Sequence, residues 1–324
     1  MPLKLSSRNG DRRGASLKWD NTRKGSTVSP IGRRPLPEPM TIGNTILMVI
    51  LHVCRRAVLI DAKHKVGIYL GFLFIGSTIS DIGFPVPKTY FSNKSNVFNV
   101  YFVKFGWGWT MALTSLYIYL TSSVYCAGDK HRITQHLLRM LTGTAIWSLV
   151  TNFFVYVESK TGACSASKIV LRSACLDRGH RWIGFDISGH CFLLIFCHLL
   201  ISEELRTLFN WERIADIIRN EQFDEESPMN HLNDEQKQAL RKNYPRYTPY
   251  IRALFIALTM LALLWDVMLV GTVLYFHTMV QKVAGGIFAV LCWYFAYRFW
   301  YPSGVLPPMP GVGLIRYSEG YRRA

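Results

Sequence analysis

The sequence predicts an all-α polytopic membrane protein with six transmembrane helices and both termini in the cytosol. Three observations predict it. Half of the 324 residues are hydrophobic and the mean hydropathy is positive, at +0.15, a balance that leans toward a membrane protein. Six runs, 66–82, 99–126, 137–157, 183–205, 250–278 and 283–301, have the length and apolarity of a bilayer crossing. The formal charge of +16 is concentrated in the first 65 residues and otherwise mostly flanks the apolar runs, as the cytosolic borders of spans do. Such a charge also raises nucleic acid. No zinc-finger spacing or aromatic RNA-binding motif accompanies it, so no nucleic-acid partner is expected.

Residues 1–40 are rich in Arg, Ser, Gly and Pro with almost no apolar cluster, which reads as a disordered basic cytosolic arm. No apolar core follows the basic start closely, as a cleavable signal peptide would require, so the first span is expected to be an uncleaved anchor. Residues 41–65 hold an apolar stretch, 42–60, interrupted by His52, Arg55 and Arg56. It fits an interfacial amphipathic helix, a seventh crossing being the alternative. The six-span domain covers 66–302, with a cytosolic insert at 206–249 in which Leu208, Trp211, Ile214 and Ile218 recur at helical spacing. The run Asp224-Glu225-Glu226-Ser227-Pro228 should break that helix, and a second short one should start at Asn233 or Asp234. Residues 303–324 form a cytosolic tail carrying Arg316, Arg322 and Arg323.

An even number of spans puts both termini on one side, and the basic arm places that side in the cytosol. Segments 83–98 and 158–182 then face a lumen. The longer one carries Lys160, Lys168, Arg172, Arg178 and Arg181, against the positive-inside rule, a violation that long loops tolerate. Asn93-Lys94-Ser95 is a glycosylation sequon with Asn93 as acceptor. Of the seven cysteines, Cys164 and Cys175 share one polar loop and are placed to form a disulfide if that loop is in an oxidising lumen.

With this topology the fourth span starts at the lumen and the fifth ends there. Ser188-Gly189-His190 opens the fourth, with His190 roughly 10 Å below its start at 1.5 Å per residue. Asp186 precedes His190 by four residues, so the two are expected to share a helix face, where the carboxylate orients or merely satisfies the imidazole. His277 closes the fifth span on the same leaflet. Lys104, five residues into the second span, and Lys94 just outside it come from the same side. Two imidazoles beside cations suit a phosphate, one to attack and one to protonate the leaving group. A lone histidine at a helix end is more often a polar anchor. His198, deeper in the bilayer, reads as structural, and Asp266 pairs with a neighbouring helix or, alternatively, belongs to a polar path or lipid-binding groove. His180 is a spare acid or base, and Glu203 and Glu204 end the fourth span at the cytosol. No cluster has metal-ligand spacing, so no metal or cofactor is expected.

The stretch Gly184-Phe185-Asp186-Ile187-Ser188-Gly189-His190-Cys191-Phe192-Leu193-Leu194, followed by Ser202-Glu203-Glu204, resembles the signature of the fat storage-inducing transmembrane (FIT) family, type 2 branch. Ser92-Asn93-Lys94, Asn99-Val100-Tyr101-Phe102-Val103-Lys104, Gly143-Thr144-Ala145-Ile146-Trp147, Tyr275-Phe276-His277 and Phe299-Trp300-Tyr301-Pro302 are similar to its other stretches. The likeness covers about residues 66–302; the basic arm and the 206–249 insert depart from shorter members.

The resemblance implies an endoplasmic-reticulum protein needed for lipid-droplet formation, distantly similar to lipid phosphate phosphatases. The implied reaction splits the diphosphate of fatty acyl-CoA into acyl 4′-phosphopantetheine and adenosine 3′,5′-bisphosphate. By the phosphatase pattern His190 is the general acid and His277 the nucleophile. The full Lys/Arg-Pro motif is missing, and no Ser-Arg precedes His277 at the superfamily's spacing. Ser188 and the Gly189 N–H are expected to hold non-bridging oxygens, with Lys104 or Arg181 compensating charge. The competing class is a non-catalytic protein that gathers diacylglycerol or triacylglycerol and seeds droplets. It explains the apolar bulk but not two luminal histidines.

Overall fold

The computed structural model describes residues 41–82, 87–166, 170–222 and 227–317. The expected N-terminal arm, the acidic residues 224–226, Lys168, Arg322 and Arg323 lie outside the described residues. The described chain is almost wholly helical.

Helix α1 (Ile42–Val58) starts where the Thr41 hydroxyl accepts the Asn44 N–H, a side-chain cap for an otherwise orphaned donor. Its Leu51, Cys54 and Val58 face inward, while Ile42, Ile46, Val49 and Val53 are exposed. Helix α2 (Ala62–Asp81) begins four residues before the expected span, capped by Asp61. The difference has a physical cause. Lys65 reads as a border charge, yet it is buried, its ammonium donating to Val58 O and Ser202 Oγ and meeting His198 Nε2.

A 3₁₀ turn (Tyr90–Ser92) and a π-helical turn (Phe98–Val103) precede α3 (Gly106–Tyr125). The expected second span, 99–126, is therefore not continuous α-helix, because the Asn96 side chain takes the Asn99 N–H and competes with the backbone ladder. Helix α4 (Lys130–Thr161) runs 32 residues, beyond the expected span at both ends. Arg139 is buried near its start and paired there with Glu204 on the next long helix.

The connection that follows contains a two-residue antiparallel ladder, Ala163–Cys164 against Trp182–Ile183, and a short helix, α5 (Arg172–Asp177). A disulfide joins Cys164 to Cys175. Because Trp182 and Ile183 belong to the ladder, the next helix, α6 (Gly189–Leu205), starts six residues later than the sequence suggests, with Ser188 as its cap. Helix α6 is the axis of the fold. Nearly all of it beyond Cys191 is buried, and α3, α8 and α9 pack around it.

The insert forms a turn and α7 (Arg213–Asn220), and then α8 (Asp234–Tyr275) begins at a capping box between Asn233 and Gln236. The expected short helix and the fifth span are one 42-residue helix. Pro245 and Pro249 lie inside it. The Thr248 hydroxyl donates to Tyr244 O, one turn back along the helix. Helix α9 (Met279–Tyr294) continues through a π-helical turn (Phe295–Trp300) and a 3₁₀ turn (Tyr301–Ser303).

Helix association in lipid depends on close packing and interior polar pairs rather than on the hydrophobic effect. Both occur. Trp107 stacks between Trp147 and Phe196, each at 5.9 Å, and Phe196 stacks on Phe192 at 5.6 Å. Glu203 and Glu204, expected as exposed ends, are buried against Arg298 and Arg139. Three helical stretches among the described residues are long and apolar enough to cross a membrane: Lys130–Thr161, Asp234–Tyr275 and Met279–Ser303. The other expected spans fall on α2, α3 and α6.

Candidate active site

The first turn of α6 and the link between α8 and α9 meet at one end of the bundle. Their approach depends on Gly285. A Cβ there would overlap the Ser188 carbonyl oxygen, so a larger residue would push α9 off the start of α6. The Ser188 N–H donates to Gln281 O at 3.1 Å and closes the junction. On the other side Asp81 accepts the Met279 N–H at 2.7 Å and sits 3.7 Å from the buried Lys282 ammonium.

His190 is the second residue of α6, not a residue deep in a span, because residues 184–188 are not helical. The same fact separates it from its expected partner. Asp186 shares no helix face with His190; its Oδ2 lies 3.6 Å from Nδ1 of His277 instead. His277 follows the end of α8 in the left-handed region, at φ 59°. A side chain is strained in that region, and such strain concentrates at functional positions. Burial holds the His277 imidazole below its ordinary pKa, Asp186 opposing and Lys94 and Lys282 adding to the effect. It is therefore a neutral base at pH 7.

Both histidines line one cavity of about 420 Å³. Lys94, Lys104, Asn99 and Asp186 join them on its polar wall, and Phe91, Met268, Gly271 and Phe276 form its apolar side. Lys94 Nζ lies 5.8 Å from the centre of the Phe276 ring. Lys104 is exposed at the end of the π-helical turn rather than five residues into a helix.

Other expected site residues stand elsewhere. The Ser188 hydroxyl is buried and accepts the Cys191 N–H as the helix cap, so it is not offered to a ligand. Gly189 opens the helix, where its N–H has no partner within α6. Arg181 is exposed and bonds through its backbone to Ser165; neither it nor His180 lines the cavity. Asn93 is exposed, its side chain accepting the Ser95 N–H.

Asn99 is a site residue that sequence reasoning misses. Its Oδ1 is 3.2 Å from Nε2 of His190. The Asn93, Asn96, Asn99 spacing, asparagine at every third position before an apolar run, is the signal that marks it. Deeper in the bundle, Asp266 accepts from Tyr69 of α2 at 2.6 Å and lies 3.0 Å from His198 of α6. These groups and Lys65 border a second cavity of about 270 Å³ with otherwise apolar walls.

A family model described as fat storage-inducing transmembrane protein matches residues 87–159 and 153–297. Acyl-coenzyme A diphosphatase FITM2 of Drosophila melanogaster is 43% identical over 297 residues, covering 89% of this chain and 70% of that protein. The protein of the same name from Xenopus laevis is 38% identical over 242 residues, 72% of this chain and 81% of its own. The Homo sapiens protein is 35% identical over 246 residues, with 74% and 82% covered. No solved structure matches. With most of its length matched by that model, and its histidine pair within or beside the matched signature stretches, the chain belongs to the fat storage-inducing transmembrane family, in the type 2 branch.

Proposed function

We propose that this chain is a fatty acyl-CoA diphosphatase of the endoplasmic-reticulum membrane, with six spans, cytosolic termini and a site that opens to the lumen. The spans are α2, α3, α4, α6, α8 and α9, with α2 beginning four residues ahead of the domain 66–302. One observation carries the reading: two imidazoles from separate elements line a single cavity that has lysines on one side and an apolar wall on the other. A charged diphosphate and a fatty acyl tail need those two environments side by side. The names of the relatives support the same substrate.

The chemistry follows from the partners. With Nδ1 of His277 facing Asp186, Nε2 is left to attack one phosphorus of the diphosphate. As the N–P bond forms, the bridging P–O bond breaks and His190 protonates the leaving oxygen. Water then attacks the phosphohistidine, gives a proton back to His190 and releases the second product. Lys94 and Lys104 neutralise the phosphoryl oxygens.

The lipid-binding alternative has the second cavity in its favour, since the Asp266 carboxylate ends an apolar chamber large enough for part of a lipid. It gives no role to the histidine pair.

Loss of the acid should slow the reaction without stopping it. His190→Ala should cost roughly 10²–10⁴-fold in rate, and a substrate with a better leaving group should recover part of that. An unchanged rate removes His190 from the mechanism. Orientation has its own test in sealed microsomes. Protease should remove tags at both ends and spare one between Cys164 and Cys175. Opposite protection of the two termini would mean an odd number of spans and no luminal site.

A further inference from the structure

The two imidazoles have unlike partners. His277 has a carboxylate, Asp186, 3.6 Å from Nδ1. His190 has a neutral amide, Asn99, whose Oδ1 is 3.2 Å from Nε2. The direction of that amide is settled by its other end. Asn99 Nδ2 donates to the Lys94 carbonyl at 2.7 Å, so Oδ1 faces His190 and only accepts. Nε2 of His190 therefore carries a proton. Asn99 is itself braced from below: its N–H donates to Asn96 Oδ1 at 2.8 Å, and the buried Asn96 donates to Asn93 O at 2.7 Å.

We infer that Asn99 is the positioning residue of the general acid, and that the amide-against-carboxylate contrast assigns the two histidines their roles. The inference rests on the diphosphatase reading and adds to it what orients the ring of His190. A carboxylate partner stabilises positive charge on a ring. That helps a nucleophile, which becomes cationic when it bonds phosphorus. It hinders an acid, which must release its proton. An amide oxygen orients the ring through one N–H and adds no charge, so it holds the imidazole without holding its second proton.

The proton balance is closed. Nε2–H stays on Asn99 throughout. The Nδ1 proton of the imidazolium passes to the leaving oxygen as the P–O bond breaks. The neutral Nε2–H ring then takes a proton from the water that hydrolyses the phosphohistidine.

The test pairs two variants with two readouts in the full-length protein in lipid nanodiscs. The charged and titratable groups that face His190 are His277 from the α8–α9 link, Asp186 from the approach to α6, and Lys94 and Lys104 from the segment before α3. None of them is altered. Asn99→Asp gives His190 a carboxylate, and the alkaline limb of the kcat–pH profile should move up by about one unit. Asn99→Leu frees the ring, and kcat should fall roughly 10–100-fold with KM changed less than about threefold. A substrate whose leaving group needs no acid should erase that deficit. Independently, ¹⁵N histidine NMR, with His190 assigned by difference against His190→Gln, should show the Nε2–H tautomer in the wild type and a tautomer mixture in Asn99→Leu. A merely structural asparagine would lower the yield of folded protein and leave the pH limb, the leaving-group dependence and the tautomer unmoved, and that result overturns the inference. So does an Nδ1–H tautomer in an active wild type. A wild type with no hydrolysis overturns instead the diphosphatase reading on which the acid role rests.

Discussion

Replacing His277 with glycine should abolish acyl-CoA cleavage and leave the protein at least as stable as the wild type. The two halves of that expectation have separate causes. With His277 as the proposed nucleophile, its removal stops the first chemical step, whatever the leaving group. The residue's φ of 59° lies where a side chain is strained by about 1 kcal/mol and glycine is not. Alanine would lose the chemistry and keep the strain, so glycine is the cleaner variant. It also leaves room beside Asp186 for added imidazole, which should restore a measurable fraction of the rate. Hydrolysis by His277→Gly above a few per cent of wild type without imidazole would remove His277 as nucleophile. A lowered melting temperature would refute the strain account.

Arg139→Met should be among the most destabilising single changes in the bundle. Arg139 and Glu204 are each 1% exposed, joined through Nε and Nη2 at 2.8 and 2.9 Å. Arg139 Nη1 also donates to Pro308 O, and the Tyr297 hydroxyl to Glu204. The variant leaves a buried carboxylate without its cation, a loss of about 3–5 kcal/mol. A second change, Glu204→Met, should return most of it, because a well-packed apolar pair in the same space is often as stable as the ions. The pair lies about 21 Å along α6 from His190, so the folded fraction should keep its kcat. Thermal unfolding in detergent with a per-mole active-site titration separates the two effects. A single variant as stable as the wild type would mean that Glu204 finds another partner or is protonated.

Most of the helical architecture was legible in the sequence, because an apolar run of bilayer length satisfies its backbone in lipid only as a helix. The ends of the helices were not, and for one recurring reason. Lys65 looked like a border, as a charge beside an apolar run usually is, yet it is internal and meets Ser202, and Arg139, inside the expected 137–157 span, meets Glu204, both far along the chain. No local pattern reports such a partner. The candidate site was legible as a pair of histidines through Ser188-Gly189-His190 and its family resemblance. Its wiring was not. Helical periodicity joined Asp186 to His190, and it failed because the Trp182–Ile183 ladder and the Ser188 cap keep residues 184–188 out of the helix. Asn99 escaped for the opposite reason: an asparagine at the edge of a span looks like a boundary residue until its neighbour in space is known.

If the paired histidines split the diphosphate of acyl-CoA, the identity of the products reports it most directly. Purified protein in lipid nanodiscs would be given a long-chain acyl-CoA and its products identified by mass spectrometry, wild type beside His277→Gly. The wild type should release adenosine 3′,5′-bisphosphate and acyl 4′-phosphopantetheine in equal amounts, and the variant neither. Free coenzyme A with fatty acid, or the same products from both proteins, would contradict it.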